Sequence, residues 1–205
     1  MMNGCTTTSN NHIRQDESND HSDEAVIIRT YKATDLSQVR NLFVDGMKHN
    51  TSPDSYVRHS LSSDLSSMEE TYFTAGRGRG TFFVMEEKRQ STCDDDGSEC
   101  HDGHGRIVGI VGLQDLNETC NTCELRRMSV HSSLRRQGRG RQLVQTCIAH
   151  ARKKGFAGIV LSTGAWMKAA ISFYVSMGFE DRGRTEHVLP DGNVAIIAKL
   201  ELLFV

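Results

Sequence analysis

The feature that most limits what this chain can fold into lies at residues 123–154. A predicted strand, Cys123 to Val130, runs through a glycine-containing turn into a helix from about Gly138 to Lys154. That helix carries Leu143, Val144, Cys147, Ile148 and Ala151 at the spacing of one buried stripe. Arg152, Lys153 and Lys154 complement its C-terminal dipole, and Gly155 stands where a C-cap glycine belongs. In the turn, Arg135-Arg136-Gln137-Gly138-Arg139-Gly140, the two glycines let the backbone bend tightly and aim successive N–H groups at one point. A nest of this kind at a helix N-terminus binds anions. Spacing alone leaves a second reading open, a structural turn with fortuitous glycines.

Strands are also predicted at 25–31, 81–87, 106–113, 158–162, 179–184 and 194–204. A helix follows the first strand, capped by Thr34 or Asp35, with Leu36, Val39, Leu42, Phe43 and Met47 on its apolar face. A second helical region takes in Tyr56, Leu61, Leu65, Met68, Tyr72 and Phe73, and a last helix covers about 166–177. The fold class is therefore α+β, a mixed central sheet of about seven strands flanked by about four helices.

With 205 residues, 37% of them hydrophobic, the chain can bury one core. Residues 25–205 are expected as a single domain behind a disordered polar tail at 1–24, with an acidic loop inserted at about 89–104. A net charge of −2 gives no global attraction to nucleic acid. No apolar run of membrane-spanning length and no secretory signal is present, so a cytoplasmic or nuclear location is expected and no integral membrane segment. Six irregularly spaced cysteines do not form a disulfide framework. Cys93, Cys100, His101, His104, Cys120 and Cys123 would suit zinc in kind, but the intervening strand separates the two groups by roughly 25–30 Å, and no metal is expected. Gly76-Arg77-Gly78-Arg79-Gly80 precedes a strand instead of opening a helix and reads as a connecting turn.

Arg135-x-x-Gly138-x-Gly140 resembles the acetyl-CoA signature of the GNAT superfamily. About forty residues on, Ala170-Ile171-Ser172-Phe173-Tyr174-Val175-Ser176-Met177-Gly178-Phe179 is similar to the superfamily's second signature. The likeness is strongest to the camello-like N-acetyltransferases, through Tyr56-Val57, Glu124-Leu125, Ser129-Val130, Ser162-Thr163-Gly164 and Ser176 to Phe179, over roughly Ile28 to Lys199. Two departures stand out. Animal members carry a hydrophobic segment where this chain has only His49 to Ser55, and Met167 stands where many members hold the pantetheine arm with Asn.

The resemblance implies an N-acetyltransferase that moves acetyl from acetyl-CoA to a primary amine by direct attack in a ternary complex. The acceptor would be a lysine side chain, an N-terminus or a small amino compound, and a homodimer is left open. The backbone of Met128, Ser129 and Val130 would pair with the pantetheine arm. Arg135, Arg136, Gln137, Gly138, Arg139, Gly140 and Arg141 would hold the pyrophosphate and neighbouring phosphate. Tyr174 would protonate the departing thiolate, or else serve only as a core aromatic. Glu124 would take a proton from the amine, or else be an ordinary strand-end charge. The alternative function is an inactive acyl-CoA-binding regulatory domain. Asp94, Asp95, Asp96 and Glu99 are expected to attract cationic acceptors if their loop lies near the cleft.

Overall fold

The structure is a computed structural model that describes residue 1 and residues 26–88, 105–116 and 121–204. The tail expected at 1–24 and the acidic insert at 89–104 fall, but for Met1, outside the described residues.

Among the described residues seven strands form one sheet: β1 (Val26–Thr30), β2 (Thr81–Glu87), β3 (Arg106–Asp115), β4 (Thr122–Val130), β5 (Gly158–Gly164), β6 (Glu180–Val188) and β7 (Val194–Leu203). Their spatial order is β1-β2-β3-β4-β5-β7-β6. Among the described residues only β4 and β5 pair in parallel, and the other neighbours are antiparallel. The α+β class and the mixed sheet agree with the expectation. Helices α1 (Leu36–His49), α2 (Asp54–Ser62), α3 (Arg139–Lys153) and α4 (Lys168–Ser176) complete the order.

The sheet separates two apolar clusters. Leu143, Val144, Cys147 and Ala151 of α3 pack with Tyr174 of α4 and with Val111, Leu125, Ile159 and Leu200. Val39, Leu42, Phe43 and Met47 of α1 pack with Leu65, Tyr72, Phe82 and Ile110 in the other. Each helix thus buries the stripe that its 3.6-residue period dictates, and β3, apolar on both sides, separates the clusters.

Three local expectations are refined. Asp35 stands at the N-cap position of α1, as one of the two expected candidates, but its side chain makes no capping bond to that helix. Instead the Asp35 carboxylate accepts Arg29 at 2.7 Å and the Lys32 N–H at 2.8 Å. The helical region at 56–73 is two pieces, α2 and a π-helical turn at Glu69–Thr74, because the chain between them turns Asp64 inward. The strand expected at 179–184 extends to Val188; every residue of β6 is exposed at the sheet edge, so it carries no apolar alternation to read.

The turn at Gly76 to Gly80 is a connector, as expected. Buried Asp115 accepts the Arg77 N–H at 3.0 Å and the Arg79 guanidinium at 3.1 Å. Among the described residues, no helix is long and apolar enough to cross a membrane.

Candidate active site

The site begins where the one parallel strand pair comes apart. β4 and β5 are paired at Thr122–Gly158, Cys123–Ile159 and Glu124–Val160, and the pairing ends there. β4 continues to Val130 and β5 to Gly164 without each other, so backbone polar groups on their facing edges are left for a ligand.

The cause lies in β4. Between Ile110–Ser129 and Gly112–Arg126 the register advances two residues on β3 and three on β4, which is a bulge. Within it Arg127 adopts φ 56°, a left-handed conformation that costs a non-glycine residue about 1 kcal/mol or more. Buried contacts hold it there. The guanidinium donates to both Asp64 oxygens, at 2.7 Å from Nε and 2.5 Å from Nη2, and to the Tyr56 hydroxyl at 2.6 Å. It also lies over the Phe43 and Tyr56 rings. Asp64 accepts a further bond from the Tyr72 hydroxyl at 2.6 Å. Burial pushes the Asp64 carboxyl up, but the hydrogen bonds and charges of Arg127 and Arg126 outweigh it and hold the carboxyl below its ordinary value.

The gap opens into a cavity of about 450 Å³, a size suited to a small ligand. β4 contributes Glu124 to Met128, β5 contributes Leu161 to Gly164, and α4 contributes Ala170, Phe173 and Tyr174. The opposite wall is Phe43, Met47, Asn50 and Tyr56 from the α1–α2 segment. Trp166, also in the lining, donates Nε1–H to Asn50 O at 3.2 Å and so ties the β5–α4 turn to the end of α1.

Of the two residues expected to do chemistry, both face this cavity. Glu124 sits at the vertex where the strands part, its carboxylate 3.9 Å from Arg126 Nε. Tyr174 packs edge-on to Phe173 and Phe179 and reaches the cavity from α4. Burial, and after it the neighbouring Cys147 thiol, push its phenol well above the ordinary value, so the hydroxyl stays protonated at neutral pH.

The expected cofactor residues divide. Met128 lines the cavity; Ser129, Val130 and residues 135–141 lie outside its lining. The Ser129 side chain turns away toward α1, where a Cβ on Gly46 would come within 2.5 Å of its Oγ. Residues 135–141 wrap the N-terminus of α3 as expected, with Arg136 at φ 62° and Gly138 at φ 76°. The first return bond of α3 runs from the Gln142 N–H to Gly138 O at 3.1 Å, so the N–H groups of Gly140 and Arg141 precede it. Gly140 lies against Met128 and Phe173, a Cβ there falling 3.2 Å from Met128 Cε.

Two side chains of the loop are engaged within the protein. Arg135 Nε donates to Val130 O at 2.9 Å and Gln137 Nε2 to Ser133 O at 2.9 Å, so both brace the loop. The arginines of β4 and of the loop do not gather in one place. Arg127 turns to Asp64 and Arg126 to Gln114 Oε1, which leaves Arg136, Arg139 and Arg141 near the α3 N-terminus. Among the described residues no group of His, Cys, Asp or Glu is arranged to hold a metal ion. Cys123 is buried in β4 with its thiol pushed up to about 12, mainly by burial. Cys93, Cys100, His101, His104, Cys120 and the acidic run at 94–99 lie outside the described residues.

The acetyltransferase (GNAT) family model matches residues 57–179. The chain belongs to the acetyltransferase (GNAT) family. This GNAT chain is 32% identical over 133 residues to N-acetyltransferase 8 of Rattus norvegicus, covering 63% of this chain and 52% of that protein. It is 31% identical over 154 residues to N-acetylaspartate synthetase of Xenopus tropicalis, covering 74% and 50%. The chain spans about half the length of the curated relatives it matches. Among solved structures, an N-acetyltransferase from Staphylococcus aureus Mu50 aligns with TM-score 0.65 at 22% identity over 87% of this chain and 98% of that one. Spermidine/spermine N-acetyltransferase from Vibrio cholerae aligns with TM-score 0.57 at 16% identity over 87% and 92%. These two likenesses show that the GNAT fold is shared.

Proposed function

We propose that this GNAT domain transfers the acetyl group of acetyl-CoA to a primary amine by direct attack in a ternary complex. The observation that carries the proposal is the parting of β4 from β5, with Glu124 and Tyr174 facing the same cavity. The thioester would lie along the free edge of β4 near Met128, with its pyrophosphate on the N–H groups at the start of α3. Arg136, Arg139 and Arg141 are the side chains proposed for the phosphates. Met167, at the head of α4, accepts the Thr163 hydroxyl at Sδ and leaves the pantetheine arm to backbone groups.

Glu124 is proposed to accept the amine proton, directly or through water, and Tyr174 to donate to the leaving thiolate. The acceptor is proposed to be a small amino compound, a lysine side chain or an N-terminus. The Xenopus relative, by its name a synthetase of N-acetylaspartate, favours an amino acid among these.

Release of free coenzyme A thiol from acetyl-CoA, followed across a panel of amines, amino acids and lysine peptides, tests the proposal. Thiol release that depends on the amine supports transfer. Binding of acetyl-CoA without release on the whole panel would favour an acyl-CoA-binding regulatory domain.

Two variants test the assigned parts. Glu124→Gln is expected to lower kcat/KM by about 10²-fold at neutral pH and to change the shape of the pH profile. An unchanged rate at every pH would reduce Glu124 to a strand-end charge. Gly140→Val pushes branched carbons onto Met128 and Phe173, and is expected to raise the KM for acetyl-CoA roughly tenfold. An unchanged KM would sever that packing from cofactor binding.

A further inference from the structure

Tyr56 is a residue whose hydrogen bonding is half complete. It lies on α2, half-buried, with its ring in the cavity lining. Its oxygen accepts a hydrogen bond from Arg127 Nη1 at 2.6 Å. A guanidinium has only donors, so Tyr56 cannot donate its own proton back to Arg127. The nearby carboxylate is already engaged, since Asp64 takes Arg127 through both oxygens and Tyr72 through one. Among the described residues the Tyr56 hydroxyl proton therefore has no acceptor.

The surrounding contacts fix that proton's role. Arg127 is gripped by Asp64 and lies over the Tyr56 and Phe43 rings, so the phenol is held in place from behind by a buried, paired cation. Tyr56 belongs to the apolar cluster on the α1–α2 side of the sheet, whereas the N–H nest of α3 and Tyr174 belong to the other side. A donor on that wall faces the molecule that approaches from opposite the cofactor. An O–H whose oxygen already accepts from a cation seeks an oxygen of negative or partly negative charge.

We infer that Tyr56 is a specificity-determining residue that donates a hydrogen bond to an oxygen carried by the acetyl acceptor beside its amine, with Arg127 as the positioning residue behind it. The inference rests on the acetyltransferase reading for the words acceptor and amine. The donor itself is a property of the cavity and is read by binding alone.

Trp166, the single tryptophan, lines the same cavity and reports occupancy by its fluorescence without turnover. With coenzyme A present, the protein is titrated with two matched pairs, leucine against isoamylamine and lysine against cadaverine. Each pair differs by one carboxylate. The wild-type protein is expected to bind the amino acid about tenfold more tightly than its decarboxylated partner. Tyr56→Phe, which keeps the ring and its packing, is expected to bring that ratio close to one while the affinities for the plain amines and for coenzyme A stay put. A ratio untouched by Tyr56→Phe, an equal loss for both members of a pair, or no binding by any of the four overturns the inference. A separate coenzyme A titration reads the acetyl-donor assignment: failure there counts against that assignment, while the acceptor ratio still decides the role of Tyr56.

Discussion

Arg127→Met is expected to cost about 3–5 kcal/mol of folding stability, because it leaves the buried Asp64 carboxylate without its cation. For a domain of this size that loss lowers Tm by roughly 10 °C or more, read by thermal melting. The cost belongs to the orphaned charge and not to the pair as such. The double variant Asp64→Leu/Arg127→Met is therefore expected to recover a large part of it, a non-additivity that a double-mutant cycle measures. Arg126→Met is the control: its side chain is partly exposed, with Asp64 only at 4.0 Å, and it should cost about 1 kcal/mol or less. Equal losses from Arg126→Met and Arg127→Met would refute the assignment. The pH dependence has a definite sign. Since the folded-state value of Asp64 is depressed, its contribution is present above the unfolded carboxyl value of about 4 and is lost as the pH falls through the folded value. The wild type should thus lose stability on acidification more steeply than the double variant.

The secondary structure was legible wherever burial imposes a period. The α3 stripe and the apolar runs of β2, β3 and β5 are one-sided or fully buried, and their spacing reports it. β6 shows the opposite case. Its sequence, Glu180-Asp181-Arg182-Gly183-Arg184-Thr185-Glu186-His187-Val188, is exposed throughout, and a strand held only by its ladder to β7 writes no pattern into its side chains. The break between α2 and the turn at Glu69–Thr74 was hidden for another reason. Leu61, Leu65, Met68 and Tyr72 keep helical spacing across it, while the buried Asp64 that forces the turn has its partner 63 residues away.

The same distinction divides the site. Arg135 to Gly140 and Tyr174 lie in contiguous motifs whose residue types follow from local chemistry, a nest and a phenol. Tyr56, Asp64 and Arg127 converge from segments distant in sequence, and nothing in the neighbours of any one names the others. Arg126 and Arg127 are adjacent and chemically alike, yet the bulge at φ 56° sends one to Asp64 and the other to Gln114. The period-2 alternation of β4 already gives them different burial, and the extra residue of the bulge turns the buried Arg127 to the Asp64 side of the sheet. The one local hint was a charged pair in the middle of a strand otherwise alternating toward the core.

Tyr174→Phe is expected to lower kcat by about 10²-fold or more with little change in the KM for acetyl-CoA or in Tm. The phenyl ring keeps the contacts with Phe173 and Phe179, so packing survives and only the hydroxyl is lost. A raised phenol value at first sight weakens the case, because a weaker acid gives its proton less readily to a thiolate. The cavity resolves this. A coenzyme A thiolate beside Tyr174 would be desolvated by the same surroundings that raise the phenol, so the two values would move in the same direction. A hydrogen bond to the developing thiolate also lowers the barrier without complete transfer, and it is worth more where water is excluded. The raised value adds a further expectation: Tyr174 remains a donor as the pH rises, so the rate should show no loss attributable to it between pH 7 and about 10. Full kcat in Tyr174→Phe would make the residue a packing aromatic and would leave the departing thiolate to solvent.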